Sequence, residues 1–200
     1  MNNLKHLLLL ISILSIVTEC KINNSRYFDK NIHNYIDSIY KYTKRETHGY
    51  YYEKVSLDRF YLGQSRKEWI FGDSLAILCS LEDLKWLASK EKSPAMRVIV
   101  FQLLLKRSPH DAVTVLINDI NNHDSVCAVR LDEGLMESIT NIRVDMAQGN
   151  RSLYNITVAD SIALDKAIIN SNEPNKINYY KRGKIIRIKA GRDQSETELK

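Results

Sequence analysis

The chain contains few of the residues that interrupt regular secondary structure. Glycine occurs seven times and proline three times among 200 residues. A β-sandwich or β-barrel of this length needs many tight turns, which these two residues usually make, so neither fold is expected. Because 44% of the residues are hydrophobic and 26% are charged, the composition predicts one globular domain with long helices.

Long blocks of like charge and the common catalytic motifs are also absent. The 29 basic and 24 acidic side chains are interspersed, and the net charge is +5. A nucleic-acid partner is therefore not expected. The sequence has no glycine-rich phosphate loop, no GxSxG or HExxH motif and no CxxC pair, so we predict no cofactor, no bound metal and no catalytic residue.

The first residues follow the pattern of an export signal. A basic start precedes an apolar run over Leu7–Val17, which is shorter than the roughly 20 residues that span a bilayer. Val17-Thr18-Glu19-Cys20 resembles the lipobox of bacterial lipoproteins, although that family prefers a small residue in place of Glu19. The resemblance implies a signal peptide over residues 1–19 and a lipid anchor at Cys20 in the bacterial envelope. A periplasmic or secreted protein without the lipid, or an uncleaved amino-terminal helix, is the alternative.

A polar tether and an amphipathic helix are predicted next. The tether covers residues 20–30. Apolar residues then recur at helical spacing from Asn31 to about Lys44, with Asp29 or Asn31 as the cap. Residues 50–65 are rich in tyrosine and charge without a clean period, so we interpret them as a loop with at most one short strand or helical turn.

The centre of the chain has the start signals of three successive helices. Ser80-Leu81-Glu82-Asp83 is close to a capping box and begins a helix that ends near Lys90. Ser93-Pro94 and Ser108-Pro109 begin the next two, because serine caps a helix and proline fits its first position. The helix after Pro94 is apolar on nearly all sides, so we expect neighbours to cover it on more than one side.

Two short motifs in this region resemble a known helical repeat. Ser93-Pro94-Ala95-Met96-Arg97-Val98 is similar to the inner-helix start of a HEAT-type repeat, where a proline precedes a hydrophobic residue and an arginine. Asp124-Ser125-Val126 resembles a degenerate copy that lacks the arginine. The resemblance covers roughly Ser80 to Arg130 and implies a stack of α-hairpins, as in exported bacterial proteins of unknown activity. It brings no catalytic residues.

Pro94, Arg97 and Asp124 are accordingly given structural roles. An arginine at the start of an apolar helix usually bridges to an acid or to carbonyls of a neighbouring element, because its planar fork satisfies several acceptors. The candidate acidic partners are Asp83, Asp119 and Asp124.

Beyond residue 130 the pattern becomes mixed. Apolar residues alternate over Ile139–Met146 and again over Tyr154–Val158, which predicts a β-hairpin. Helical spacing returns over Ala159–Asn170. Tyr179–Ile188 carries several cations among apolar residues and is predicted as an edge strand.

The predicted fold is mainly α: an α-hairpin (HEAT-like) stack with a small mixed α/β carboxy-terminal section. A single domain is expected over residues 31–200. Its helical stack occupies about 70–130, its mixed section 131–190 and a frayed tail 191–200.

Tyrosine is concentrated in one part of the chain. Eight of the 11 tyrosines lie between Tyr27 and Tyr61. Tyrosine is enriched at protein interfaces because it offers a large apolar area with a polar tip, but the same rings also suit packing of the first helix on the core. The candidate partner surface consists of Tyr35, Tyr40, Tyr42, Tyr50, Tyr51, Tyr52 and Tyr61.

Cysteine and histidine give weaker signals. Cys79 and Cys127 are either a disulfide pair or two buried thiols. His110-Asp111 and His123-Asp124 stand at predicted helix starts, so we interpret the aspartates as caps rather than metal ligands.

The sequence predicts a non-enzymatic binding or scaffolding protein of the cell envelope, whose partners are another envelope protein and, through Cys20, the membrane. An enzyme or enzyme inhibitor with a site at the helix ends of the repeat segment is the alternative. A cavity around Arg97, Asp119, His123 and Asp124 favours the alternative, whereas an exposed tyrosine-rich groove favours binding.

Overall fold

The computed structural model describes most residues between Tyr27 and Ser171. The described ranges are 27–47, 50–58, 60–61, 64–130 and 133–171. The predicted signal peptide, Cys20, the edge strand over Tyr179–Ile188 and the tail lie outside them. Within these ranges the chain is mainly α with a small mixed sheet, which confirms the coarse fold prediction.

The described residues form seven helices and six strands. The helices are α1 (Lys30–Thr43), α2 (Lys67–Leu78), α3 (Leu81–Lys90), α4 (Pro94–Arg107), α5 (Pro109–Asn118), α6 (Ile139–Gly149) and α7 (Val158–Asn170). The strands are β1 (Lys44–Thr47), β2 (Tyr50–Ser56), β3 (Phe60–Tyr61), β4 (Gln64–Ser65), β5 (Ser125–Arg130) and β6 (Glu133–Ser138). Within the same ranges, no helix has both the length and the hydrophobicity that crossing a bilayer requires.

Most helix starts are set by local capping. Asp29 caps α1 by accepting two backbone N–H groups of its first turn, at 2.8 and 3.0 Å. Ser80 begins the predicted capping box of α3, and Ser93 caps α4. Ser108 was predicted as a cap, but its hydroxyl donates to Asp111 at 2.5 Å and makes no side-chain cap for α5.

Helix α4 is the centre of the core. Its residues from Ala95 to Leu105 are all buried, and it contacts α1, α2, α3, α5 and α6 as well as strands β2 and β5. The prediction that this apolar helix is covered on more than one side is confirmed. Since each large apolar side chain that is fully buried contributes roughly 1.5–3 kcal/mol, α4 contributes strongly to stability.

A four-stranded mixed sheet packs beside α4. Its strand order is β1-β2-β5-β6, with a parallel central pair and antiparallel outer pairs. Val55, Val126 and Ala128 of the central strands are buried. Because side chains alternate along a strand, one face of the sheet covers α4 and the other points away from it. Strands β3 and β4 form a separate small ladder.

The predicted hairpin over Ile139–Val158 is wrong. Residues Ile139–Gly149 form helix α6, and Val158 begins helix α7. Eight of the 11 residues of α6 are buried. Thr140, Asn141 and Arg143 are among them, so polar and apolar residues are not separated onto two faces, and the pattern by which an amphipathic helix is recognised is absent.

The helical stack also ends earlier than the predicted boundary near residue 130. Helix α5 ends at Asn118, and the second repeat-like motif, Asp124-Ser125-Val126, leads into strand β5. Residues 50–65, interpreted as mainly loop, contain the seven-residue strand β2. These two strands stabilise each other across a long stretch of chain, which local patterns do not reveal.

The folded body begins within the predicted tether. Phe28 is 5% exposed, and its ring centroid lies 5.8 Å from that of Trp86. The tether predicted over residues 20–30 is therefore too long at its carboxy-terminal end, because an apolar side chain near that end joins the core.

Gly72 allows α2 to approach α4 closely. A Cβ atom there would lie 3.0 Å from Ile99 Cγ2, whereas one at Gly149 would have nothing within 4 Å. We predict that Gly72→Val lowers the free energy of unfolding by about 1–3 kcal/mol through overpacking, and that Gly149→Val changes it by less than about 0.5 kcal/mol. Urea denaturation measures both. Equal losses in the two variants would contradict the close helix approach.

Candidate functional site

The tyrosines of the candidate partner surface divide into two groups, of which the first packs on the core. Tyr35, Tyr40 and Tyr42 lie on α1. Tyr42 stacks on Phe71 with 5.6 Å between ring centroids, and Tyr40 donates to Glu91 Oε1 at 2.5 Å. Burial, followed by the hydrogen bond to Glu91, raises the pKa of Tyr40 well above its usual value. These rings hold α1 on the core.

The second group is exposed on strand β2. Tyr50 and Tyr51 are 77% and 80% exposed, and Tyr52 is 36% exposed. In the antiparallel β1–β2 hairpin, Arg45 stands directly opposite Tyr52, so a cation lies beside these rings. Tyr61 lies in the separate β3–β4 ladder.

The β1–β2 hairpin, the start of α4 and parts of β5 and β6 enclose a cavity of about 500 Å³, which we call the hairpin groove. Its lining residues are Lys44, Arg45, Tyr51, Tyr52, Glu53, Pro94, Ser125 and Met136. Cavities that bind ligands usually measure about 300–1,000 Å³ and combine apolar walls with a few polar groups. The hairpin groove therefore has the size and composition of a binding site.

The charges of the groove are of two kinds. Glu53 Oε2 accepts hydrogen bonds from Ser93 Oγ at 2.6 Å and from the Ala95 backbone N–H at 3.0 Å, so this carboxylate binds the amino-terminal end of α4. Lys44 and Arg45 form no salt bridge with any described residue, and Arg45 Nη1 donates to the Lys44 carbonyl at 2.8 Å. The groove therefore attracts negative charge.

The residues of the alternative, enzymatic site form a buried ion network. Arg97 pairs with Asp124, and its Nη1 lies 3.9 Å from Asp119 Oδ2. Arg143 on α6 donates to the same Asp119 oxygen at 2.8 Å. The side chains of Arg97 and Arg143 are 5% and 0% exposed. Asp83, the third candidate partner of Arg97, instead forms the capping box of α3.

Arg143 joins several elements through one guanidinium. It donates to the carbonyls of Ala88 on α3 and of Arg97 on α4, and its Cζ lies 5.3 Å from the centroid of the Phe101 ring. Burial, opposed by the attraction of Asp119, lowers the pKa of Arg143 to about 10, so the group stays charged at neutral pH. A buried charge held in this way has a structural role. Arg143 is not among the residues predicted from the sequence.

His110 and His123 lie in different surroundings. His110 Nδ1 lies 2.7 Å from Asp160 Oδ1, between α5 and α7, and this hydrogen bond raises the pKa of His110. The hydroxyl of Ser108 donates to Asp111. Ser108 is therefore bonded to Asp111 and not to His110. None of the hydrogen bonds between described residues joins the His110–Asp160 pair to a serine or cysteine that it could activate as a nucleophile. His123 lies in the loop before β5.

The described part of the chain contains neither a cluster of potential metal ligands nor a disulfide. In those ranges no three His, Cys, Asp or Glu side chains are grouped so as to hold a metal ion. Cys79 is buried, Cys127 is half-buried, and both are free thiols. A second cavity, of about 150 Å³, is smaller than the usual ligand site.

Only part of the groove is predicted from the sequence. Tyr51, Tyr52 and Pro94 are among the predicted residues, whereas the cations and Met136 are not. The run Lys44–Thr47 and the tyrosines that follow are separated by two residues, of which the second is glycine, a spacing typical of a β-hairpin. Pairing the two runs places the cations beside the tyrosines. Met136 comes from a distant strand, and no local signal identifies it.

Removing Asp119 should leave two buried cations without their shared partner. We predict that Asp119→Ala lowers the free energy of unfolding by about 3–5 kcal/mol. The Glu82 side chain is 65% exposed and pairs with Lys85 at the surface. Glu82→Ala should therefore lower the free energy of unfolding by less than about 1 kcal/mol. Urea denaturation compares the variants, and similar losses would contradict a structural role for the network.

The His110–Asp160 contact should depend on pH. Because Asp160 raises the pKa of His110, its stabilisation is complete below the ordinary histidine pKa of about 6.5 and is lost as the pH rises through the raised value. In an NMR titration, Asp160→Asn should return the pKa of His110 toward its ordinary value. Asp165→Asn on the same helix is the control. A titration of His110 that Asp160→Asn does not change would contradict this pairing.

Comparisons with known proteins do not identify a relative. No family model, no curated protein and no solved structure matches the chain. The functional interpretation therefore depends on the geometry of the hairpin groove, with its exposed tyrosines and its cations that lack acidic partners.

Proposed function

We propose that the protein is a non-enzymatic binding or scaffolding protein of the bacterial cell envelope, and that it holds another envelope protein in the hairpin groove. The observation that carries this proposal is the groove: a cavity of about 500 Å³ lined by exposed tyrosines. Residues of four strands and of the start of α4 line the cavity that a partner would enter.

The composition of the groove suits a protein partner. Tyr51 is 80% and Met136 is 61% exposed. Tyrosine and methionine are enriched in protein interfaces, where a few such side chains supply most of the binding free energy. Exposed apolar groups that are gathered in one concave place mark interaction sites more often than scattered ones do.

The enzymatic alternative receives less support. Arg97, Asp119 and Asp124 bind one another and Arg143, so these side chains are engaged in holding the fold. The exposed His110 is paired with Asp160 at the surface between two helices. Binding in the hairpin groove gives a role to the exposed side chains of Tyr51 and Met136, whereas the enzymatic alternative gives them none.

The placement in the envelope depends on the amino-terminal sequence. A signal peptide over residues 1–19 and a lipid on Cys20 would anchor the protein in a membrane, and Phe28 is already packed on the core. The folded body is then held close to the membrane surface, where it meets other envelope proteins. Helices α3, α4 and α5 contact one another, which supports a HEAT-like stack as the body of this module.

Photocrosslinking in cells tests the proposed function. A photoreactive phenylalanine analogue is placed at Tyr51 in the groove and, as a matched control, at Leu153, which is 68% exposed outside it. We expect a discrete adduct with an envelope protein from Tyr51 and none from Leu153. The same adducts from both positions, or none from Tyr51, would contradict binding in the groove.

A further inference from the structure

We infer that the hairpin groove binds an acidic, extended segment of its partner, which pairs with the open edge of β2 as an added strand. This partner chemistry rests on the proposed function, since it concerns the same groove. It adds the charge of the partner, its conformation and the backbone edge that it meets.

The first half of β2 is paired on one side only. β1 pairs with Tyr50–Glu53, whereas β5 pairs with β2 only from Lys54 to Ser56. On the β5 side of Tyr50–Glu53, no described residue pairs with β2, although β5 itself begins two residues before Cys127, at Ser125, which lines the groove. The N–H of Leu57 donates to the Val129 carbonyl at 2.8 Å on that side. Because backbone groups alternate along a strand, the N–H and C=O of Tyr51 point to the same, open side.

The groove follows this open edge and includes side chains of both faces. Lys44 stands opposite Glu53, and Arg45 stands opposite Tyr52, so neighbouring lining residues belong to opposite faces of the hairpin. An extended peptide sends its own side chains alternately to both faces, while its backbone meets Tyr51. This arrangement is the geometry of β-strand addition.

The charges of the groove favour an acidic occupant. Lys44 shares its face of the hairpin with Glu46 and Glu53, and its Nζ lies 4.8 Å from the centroid of the Tyr40 ring. The Arg45 face carries no acid of β1 or β2, so an acidic side chain on that face of an added strand lies on the same side as the cation. Lys54 lies on the same face as Arg45, because Arg45 stands opposite Tyr52 and Lys54 follows Tyr52 by two residues. The Glu53 carboxylate already accepts two donors at the start of α4. Electrostatic complementarity of this kind selects the partner and speeds its association.

Two other occupants fit these charges less well. The chain's own run over Tyr179–Ile188 carries four cations and no acid, so Lys44 and Arg45 repel it. A second copy of the chain has a net charge of +5 and is not complementary as a whole. A different protein segment that is rich in aspartate or glutamate is the occupant that the groove favours.

Two labelled octapeptides test the charge of the occupant. One alternates glutamate with valine and the other lysine with valine, and fluorescence anisotropy measures their affinity for the full chain in detergent. We expect the acidic peptide to bind at least about tenfold more tightly, and its affinity to fall as salt is added. Equal affinities, or tighter binding of the basic peptide, would overturn the acidic partner while leaving the groove a binding site.

Reversing the charge of Lys44 and Arg45 tests whether the peptide binds in the groove. Lys44→Glu combined with Arg45→Glu should weaken the acidic peptide by at least about tenfold and strengthen the basic one. Lys30→Glu combined with Lys166→Glu makes the same change in net charge at exposed positions outside the groove and should alter either affinity less than about twofold. Arg45→Gln is the milder variant, with an expected loss of about threefold. Equal effects of the two double variants would overturn the inference.

Backbone methylation tests strand addition separately. Methylating alternate residues of the acidic peptide leaves one set of N–H groups free to pair with β2, whereas methylating every residue removes both sets. We expect the first peptide to keep its affinity within about threefold and the second to lose binding. Unchanged binding of the fully methylated peptide would overturn the added strand.

The photocrosslinker at Tyr51 identifies the occupant in the purified full chain. With the acidic peptide present, we expect an adduct with that peptide. An adduct with residues 172–200 of the same molecule, or with a second copy, would overturn the acidic partner. The absence of any Tyr51 adduct in cells contradicts the proposed function itself, so the two failures are distinguishable.

Discussion

The junction between the helices and the sheet depends on one acid, Asp119, which two buried arginines share. Arg143 donates to it from α6 at 2.8 Å, and Arg97 on α4 lies 3.9 Å away. Arg97 also pairs with Asp124, the residue directly before β5. Because each buried cation needs an acidic partner, the end of α5 and the start of β5 are both fixed against α4.

The groove forms where β2 and β5 are not paired. β5 begins at Ser125 but pairs with β2 only from Cys127, which stands beside Lys54, so the preceding part of β2 keeps an open edge. Glu53 ties the same strand to the start of α4 through Ser93. Glu53 is therefore engaged in holding the sheet on the helix, whereas Arg45 lines the groove without a salt bridge to any described residue.

The helices can be predicted from the sequence because their signals are local. Ser80 and Ser93 cap helices through residues within one turn, and the apolar run after Pro94 requires burial whatever surrounds it. The sheet cannot be predicted in this way, because the parallel pairing of Lys54 with Cys127 joins distant parts of the chain. A helix such as α6, whose buried residues include polar ones, also lacks the amphipathic pattern by which helices are recognised.

The candidate site, like the fold, can be predicted only where the signal is local in the sequence. Tyrosine content points to the segment that supplies Tyr51 and Tyr52 to the lining of the groove. Whether a given tyrosine packs or stays exposed is decided by its tertiary neighbours: Tyr42 stacks on Phe71, whereas Tyr51 is exposed to solvent.

Amide hydrogen exchange at Tyr51 tests the binding mode most directly. Val55, which pairs with β5 in the free chain, is the internal reference. We predict that the Tyr51 amide exchanges quickly in the free chain and at least about tenfold more slowly with saturating acidic peptide, while the basic peptide has no effect. Protection of Tyr51 in the free chain, or no change with the acidic peptide, would contradict strand addition in the groove.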